Sequence, residues 1–443
     1  MPVCCREAVE LKPTWTERKG NVIETIKWNE EIELFGEYDV LVAGGGVAGV
    51  AAALAAARHE KRVLLVEKQC CLGGLATGGI VNFWVPLCNG RGRMIIRGIA
   101  EELLRLSIRY GFDTLPSEWK HGEPEGPTKA RCAGWFSGGM FALQLLELLR
   151  DAGVTILYDA TVLDAVMAGS VCLGVILRSG AEKRFYRAKM IVDATGDAEI
   201  LCRAGVPTVE GANYHTYYGE GITLQGCEKA LATQNIYWAY THPYGGTSDL
   251  HGGNHPEELP LYQGTDPDTV NRYLQDNQLE MLAKEKLKPR FSRNIHMLPT
   301  MPQLRTARCI DGDETFTAEG CYRHCGTSVG VICDFEYRDR LYEVPYGSLV
   351  RTGFDNLITC GRSACASGWG WDALRVIPPA ILTGQAAGTA AAMAVKHSVS
   401  LPKLSIEVLQ EALERAGVAI HFEDDWVPEQ DAEEERAVQA DHI

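Results

Sequence analysis

The stretch Tyr38–Lys68, YDVLVAGGGVAGVAAALAAARHEKRVLLVEK, limits what this chain can fold into more than any other. An apolar run, Val40–Val42, meets Gly44, Gly45 and Gly46, and then Gly49. An alanine-rich helical segment opens at Val47 and Ala48. A second apolar run, Val63–Val66, ends in Glu67 and Lys68. Strand, glycine turn, helix and strand in this order make a βαβ unit of the kind that grips a dinucleotide. Gly44 permits the tight turn, and Gly46 lets a pyrophosphate approach the backbone. Gly49, with Ala48, Ala51, Ala52 and Ala53, lets the helix lie close to the sheet. The helix start offers free N–H groups and a partial positive charge to phosphates. Glu67, about 20 residues past the glycines, can accept hydrogen bonds from a ribose.

The chain has 443 residues, enough for two or three lobes with ample core. It carries 43 basic and 58 acidic residues, a formal net charge of -15. No basic stripe stands out, which argues against a nucleic-acid partner. Glu7, Glu10 and Glu17 make the opening polar and unlike a signal peptide. No apolar run reaches the ~20 residues that span a bilayer. With 15 cysteines, this reads as a cytoplasmic protein with mostly free, buried thiols.

In chain order, residues 1–37 read as a lead-in, with strands at Asn21–Trp28 and Ile32–Phe35. The dinucleotide domain opens at 38 and runs to 204. Its glycine-dense loop, Leu72–Gly79, would let backbone lie against a flat or charged ligand. Cys70 and Cys71 are adjacent, a spacing that seldom bridges and is not the CxxC of dithiol chemistry. Amphipathic spacing predicts helices over Met94–Tyr110 and Phe141–Ala152, the latter ended by Gly153. A meander follows over Thr155–Tyr158, Thr161–Val166, Val171–Arg178 and Lys183–Arg187, and then an apolar strand, Lys189–Ala194. Residues 205–345 change character, being rich in aromatics, Gly and Pro. They read as an inserted α+β domain with one clear helix, Pro267–Lys288. Residues 346–400 return to the first domain, with a strand at Asn356–Cys360 and a small-residue helix at Ala380–Val395. Residues 401–443 hold a last helix, Ile406–Ala416, and an acidic tail.

With these pieces in place, the chain resembles the FAD-dependent oxidoreductases of the glutathione-reductase-like type. The resemblance rests on YDVLVAGGGVAG (38–49), VLLVEK (63–68), LGGLATGG (72–79), IVDATGDAEI (191–200), QLRTARCIDGDE (303–314), NLITCGR (356–362) and RVIPPAILTGQAAGTAAAMA (375–394). It implies a Rossmann-like α/β fold with a βββ meander and an inserted α+β substrate domain. It implies FAD, held by Gly44, Gly46, Val47, Ala48 and Gly49 at the pyrophosphate and by Glu67 and Lys68 at the ribose. Val162 would meet the adenine. Ala194, Thr195 and Gly196 would line the adenosine half; Gly73, Gly74 and Thr77 would lie toward the ribityl end; Gly361 and Arg362 would flank the cofactor. Gln385, Ala386 and Ala387 would form a helix N-terminus aimed at the flavin, where its positive end steadies the negative charge of the reduced ring. The inserted domain matches only near Arg305–Gly312, so the substrate does not carry over.

FAD supplies the redox chemistry and the protein places the substrate. A carboxylate or developing negative charge calls for cations, and Arg305, Arg308, His296 and Arg375 are the candidates. Each arginine has an alternative as an ordinary ion pair. Arg305 and Arg308, if helical, would share a face. His296, between Ile295 and Met297, reads as a satisfied core histidine more readily than as a proton shuttle. Two tryptophans, Trp369 and Trp371, either line a pocket or fill core. His242, His251 and His255, and His324 between Cys321 and Cys325, miss metal-site spacing, so no metal is expected. With no histidine beside the glycine loop, the FAD is expected to be non-covalent. No second βαβ unit follows, so NAD(P)H or another redox partner would visit transiently. A small-molecule oxidoreductase is the leading reading. The alternatives are a flavoprotein without net redox and an electron-relay subunit. Base rates favour a homodimer.

Overall fold

The computed structural model describes residues 13–18, 21–26 and 30–428. Trp28, Cys4, Cys5 and the acidic tail past Pro428 lie outside them. Pro13–Arg18 and Asn21–Ile26 pair as an antiparallel hairpin.

The βαβ unit forms as its residues dictate: β1 (Leu34–Ala43), α1 (Val47–Arg58) and β2 (Val63–Val66). The strand expected at Ile32–Phe35 is not separate; β1 runs unbroken from Leu34. Helix α2 (Ile99–Arg109) starts later than its periodicity suggests. Gly98, at φ +68°, breaks the backbone just before it. Helix α3 (Gly138–Asp151) is capped by Ser137 Oγ, which accepts from Met140 N, and Gly153 at φ +77° ends it.

Next come β3 (Thr155–Leu157), β4 (Ala160–Ala168), β5 (Val171–Ser179) and β6 (Glu182–Asp193). Only β4, β5 and β6 form the antiparallel meander. Thr155–Leu157 joins the parallel sheet beside β2 instead. The segments Lys183–Arg187 and Lys189–Ala194, expected as two strands, are the single strand β6. Its first half pairs with β5 while Phe185–Asp193 runs parallel to β1. One long strand therefore stitches the meander to the nucleotide-binding sheet.

Residues 208–310 leave and return at one place: Thr208–Glu210 pairs antiparallel with Arg308–Ile310. Between them lie short hairpins and α4 (Pro267–Leu287), capped by Asp266. A hairpin of β7 (Ser328–Cys333) and β8 (Leu341–Pro345) then packs into the main core. Strand β9 (Leu357–Thr359) pairs parallel with Ile191–Asp193 of β6. Among the described residues the large sheet has seven strands in the order β3-β2-β1-β6-β5-β4, with β9 on the free flank of β6.

The chain closes with α5 (Trp369–Arg375), α6 (Ile377–His397) and α7 (Ile406–Arg415). Helix α6 is buried from Ile377 to Ala394, which explains its lack of a polar face. It crosses α1 at bare backbone. A Cβ on Gly384 would stand 2.2 Å from Ala48 O, and one on Gly388 2.1 Å from Ala52 O. The small residues of both helices are therefore a packing requirement.

Candidate functional site

The glycine turn divides its labour more sharply than sequence suggests. Gly44, at φ +105°, has no room for a side chain, because a Cβ would lie 2.2 Å from Ala194 O. At Gly49 a Cβ would lie 1.8 Å from Gly44 O, so this glycine seats α1 on the strand end. At Gly46 a Cβ meets nothing within 4 Å, and the backbone is extended at φ -63° and ψ 171°. Gly46 is thus the glycine that faces open space. No side chain caps α1, so its first-turn N–H groups point at that space.

The neighbouring segments converge there. Gly73 N donates to Gly45 O (2.8 Å), which lays the loop 72–79 beside the turn, and Gly74 packs against Gly46 Cα. Glu67 is buried; its Oε2 accepts from Gly45 N (2.6 Å) and its Oε1 from Gln69 N (2.7 Å). Ala160 N donates to Glu67 O (3.1 Å), which starts β4 at this edge and places Val162 two residues along it. Ala194 N donates to Ala43 O (2.8 Å), and Gly361, at φ +70°, comes against Ala48. Arg362 clamps the next layer: its Nε donates to Gly196 O (2.7 Å), its Nη1 to Leu304 O (2.8 Å), and its Nη2 to Asp197 Oδ1 (2.6 Å).

Sequence reasoning passed over Asp193. Its carboxylate is wholly buried, accepting at Oδ1 from Thr195 N and Oγ1 and at Oδ2 from Leu201 N. Burial raises its pKa, and these hydrogen bonds oppose the rise. Asp193 fixes the Ala194–Asp197 turn that flanks Gly44. Its position at a strand end, within DATGD, was the available signal.

One expected cofactor group stands elsewhere. Gln385, Ala386 and Ala387 are not a helix N-terminus: α6 begins at Ile377, so they lie about 12 Å along its axis. All three are buried, and Gln385 Oε1 accepts from Ile99 N (2.8 Å), closing the start of α2. The true start of α6 carries Pro378 and Pro379, which remove two N–H donors but keep the dipole. Thr77 is buried and donates to Leu72 O (2.6 Å), shaping the loop from inside. Lys68 is exposed. Gly73, Gly74, Ala194, Thr195 and Gly361 lie against the turn.

A cavity of about 250 Å³ is lined by Gly211–Tyr214, Leu250, Arg305, Thr306, Gly368, Trp371 and Asp372. Arg305 and Arg308 are not on a helix; the first is in a loop and the second in the strand Arg308–Ile310. Asn213 Oδ1 accepts from Arg305 N (2.7 Å) and Thr306 N (3.0 Å), which presents the Arg305 side chain. Arg305 Nη1 donates to Asp249 O (2.7 Å). Burial, and then the positive charge of Arg375, lower the Arg305 pKa to about 10. Arg375 is itself held by Asp372, Nε at 2.9 Å and Nη2 at 2.5 Å.

The other two candidates fall outside this group. Arg308 Nε donates to Asp197 O (2.9 Å), tying the returning strand under the cofactor turn. His296 is not the core histidine its neighbours suggested: its side chain is 51% exposed and its nearest carboxylate, Glu220, is 4.0 Å away. The tryptophans divide the two roles. Trp371 is buried, walls the cavity and donates to Arg362 O (2.8 Å). Trp369 stacks on Phe335 and His251 and donates to buried Asp334 (2.7 Å). All thirteen described cysteines are free. Burial raises the Cys71 pKa, which disfavours a reactive thiolate beside Cys70. No described helix is long and apolar enough to cross a membrane.

A parallel sheet, a glycine turn opening a helix and a buried acid at the next strand end define a dinucleotide-binding protein of Rossmann-like α/β fold. The sequence matches the FAD dependent oxidoreductase family over residues 39–278 and 272–413. The chain belongs to that family, and FAD is its cofactor.

Single relatives are distant. The chain is 27% identical over 183 residues to thiamine thiazole synthase of Sulfolobus acidocaldarius, covering 38% of this chain and 60% of that protein. It is 26% identical over 163 residues to the tRNA uridine 5-carboxymethylaminomethyl modification enzyme MnmG of Exiguobacterium sibiricum, covering 36% of this chain and 24% of that protein. It thus spans about a quarter and three fifths of the length of these curated relatives. p-Nitrophenol 4-monooxygenase of Pseudomonas putida superposes with a TM-score of 0.45 at 14% identity, over 86% of this chain and 84% of that one.

Proposed function

We propose that the chain holds FAD non-covalently along Gly44–Gly49, Glu67 and Thr195–Gly196 and exchanges a hydride with a small organic anion in the Arg305 cavity. Arg305 carries the reading. A guanidinium pulled from water beside a second one has an unmet need for negative charge, and a carboxylate supplies it bidentately. FAD, when bound, supplies the other end of the electron-pair exchange. The protein's share is placement. Asn213 fixes the Arg305 loop, Asp372 holds Arg375 at the start of α6, and Trp371 keeps water from one wall. His296 and Arg308 have no part in it. A nicotinamide or another redox partner would close the cycle by visiting the flavin, and a homodimer in the cytoplasm fits the reading.

The test is anaerobic flavin absorbance against a panel of small carboxylates, NADH and NADPH. One carboxylate is expected to bleach the oxidised flavin, or to restore its colour after reduction. Arg305→Gln is expected to slow that reaction by about 10²-fold or more, since it removes the cation that the substrate carboxylate would pair with. A flavin indifferent to every compound would replace this reading with FAD chemistry that has no net redox.

A further inference from the structure

Away from the cofactor and the cavity, three distant segments meet on one carboxylate. Glu343, on β8, has a fully buried side chain. Its Oε1 lies 2.8 Å from Nδ1 of His324 and accepts from Phe422 N (3.2 Å). Its Oε2 lies 2.8 Å from Nδ1 of His421 and accepts from Cys325 N (2.6 Å). One ring nitrogen from each histidine and a Glu343 oxygen all fall within 4.8 Å of one another. The imidazoles are 51% and 44% exposed, so the cluster opens to solvent on one side.

The second nitrogen of His324 matters. Its Nε2 lies 3.4 Å from Asp424 Oδ1, so this ring faces a carboxylate oxygen at both nitrogens. A neutral imidazole has one N–H to give. To serve both carboxylates at once, the ring either carries two protons or keeps one at Nε2 and meets a cation at Nδ1. The second state is the carboxylate–histidine–metal arrangement that orients many metal ligands.

We propose that His324, Glu343 and His421 bind one zinc ion, through the two Nδ1 atoms and the Glu343 carboxylate. Two imidazoles, one carboxylate and a solvent-facing fourth position suit this ion. Ligand atoms about 2.0–2.2 Å from one ion at tetrahedral angles stand roughly 3.3 Å apart, so the 2.8 Å contacts need only a small opening. The N–H groups of Cys325 and Phe422 already hold the carboxylate in place. Zinc takes the positions of two Nδ1 protons, which leave to solvent. Cys325 is not a ligand: its Sγ turns to Thr327 Oγ1 at 3.2 Å. Short-range spacing could not reveal this cluster, because Glu343 is 19 residues from His324 and 78 from His421. The ion fastens residues 419–424 to the β7–β8 hairpin, reinforcing Val331 N to Ala419 O (2.8 Å) and Ser328 Oγ to Ile420 O (2.6 Å).

Equilibrium dialysis of the FAD-loaded full chain against zinc tests the site. The double variant His324→Gln, His421→Gln is expected to bind one zinc fewer per chain than the parent, with its flavin spectrum unchanged. X-ray absorption of the parent loaded with one zinc is expected to show nitrogen and oxygen neighbours at about 2.0–2.2 Å and no sulfur shell near about 2.3 Å. Equal zinc binding by parent and variant, no zinc binding by the parent, or a sulfur shell overturns the proposal. Should the variant fail to fold, the absorption measurement on the parent decides alone.

Discussion

Gly46→Val is expected to give a folded, colourless protein. The added side chain meets no protein atom within 4 Å at its Cβ, and the extended backbone at this position tolerates valine. Nothing in the apoprotein resists the change. The side chain instead fills the space before the uncapped start of α1, where the pyrophosphate must come within hydrogen-bonding distance of backbone N–H groups. Retained flavin is expected to fall to roughly a tenth of the parent's or less, as that contact is the anchor of the motif. The melting temperature should match that of flavin-stripped parent protein. A yellow variant would show that the pyrophosphate lies elsewhere. Gly49→Ala makes the contrast: its Cβ would sit 1.8 Å from Gly44 O, so its primary defect is folding.

Gly388→Val is expected to cost the protein more stability than any surface change. Its Cβ would stand 2.1 Å from Ala52 O, with Ala52 C at 2.7 Å, and neither atom can rotate away. Helices α1 and α6 would have to part along a fully buried seam. Overpacking of this kind costs about 3 kcal/mol. Thermal unfolding should show a lowered midpoint, and flavin loading should fall with it because α1 carries the phosphate site. Gly139→Ala, in the first turn of α3 where a Cβ meets nothing within 4 Å, should leave the midpoint unchanged or raised. A Gly388→Val protein as stable as the parent would mean that the α1–α6 crossing is looser than its geometry.

What could be read from the sequence follows from the range of the forces involved. The βαβ unit was legible because strand, turn, helix and acid are consecutive and each has a local signature. The meander was legible where alternation and turns are local, at β4 and β5. It failed at Thr155–Leu157, whose assignment to the parallel sheet depends on pairing with β2, nearly a hundred residues earlier. It failed again at β6, where a break in pattern near Ala188 hides one strand serving two different neighbours. The start of α6 was misplaced because small residues at 384–388 look like a cofactor-facing helix end. They are small because another helix touches them. Arg305 and Arg375 were legible as charges but not as neighbours, since they sit on separate segments and Asn213 fixes the Arg305 loop from a third.

The crossing of α1 and α6 also sets an order of events during synthesis. The nucleotide-gripping unit leaves the ribosome long before the helix that covers it. Its helix then has only alanine and glycine to show on the face that α6 will cover, and these hold little on their own. The covering helix emerges more than three hundred residues later, and β9 just before it. The motif is therefore completed only when α6 has emerged, and FAD loading has to wait for that helix. Nascent chains arrested before Ile377 should bind no flavin, although every glycine of the motif is already in place.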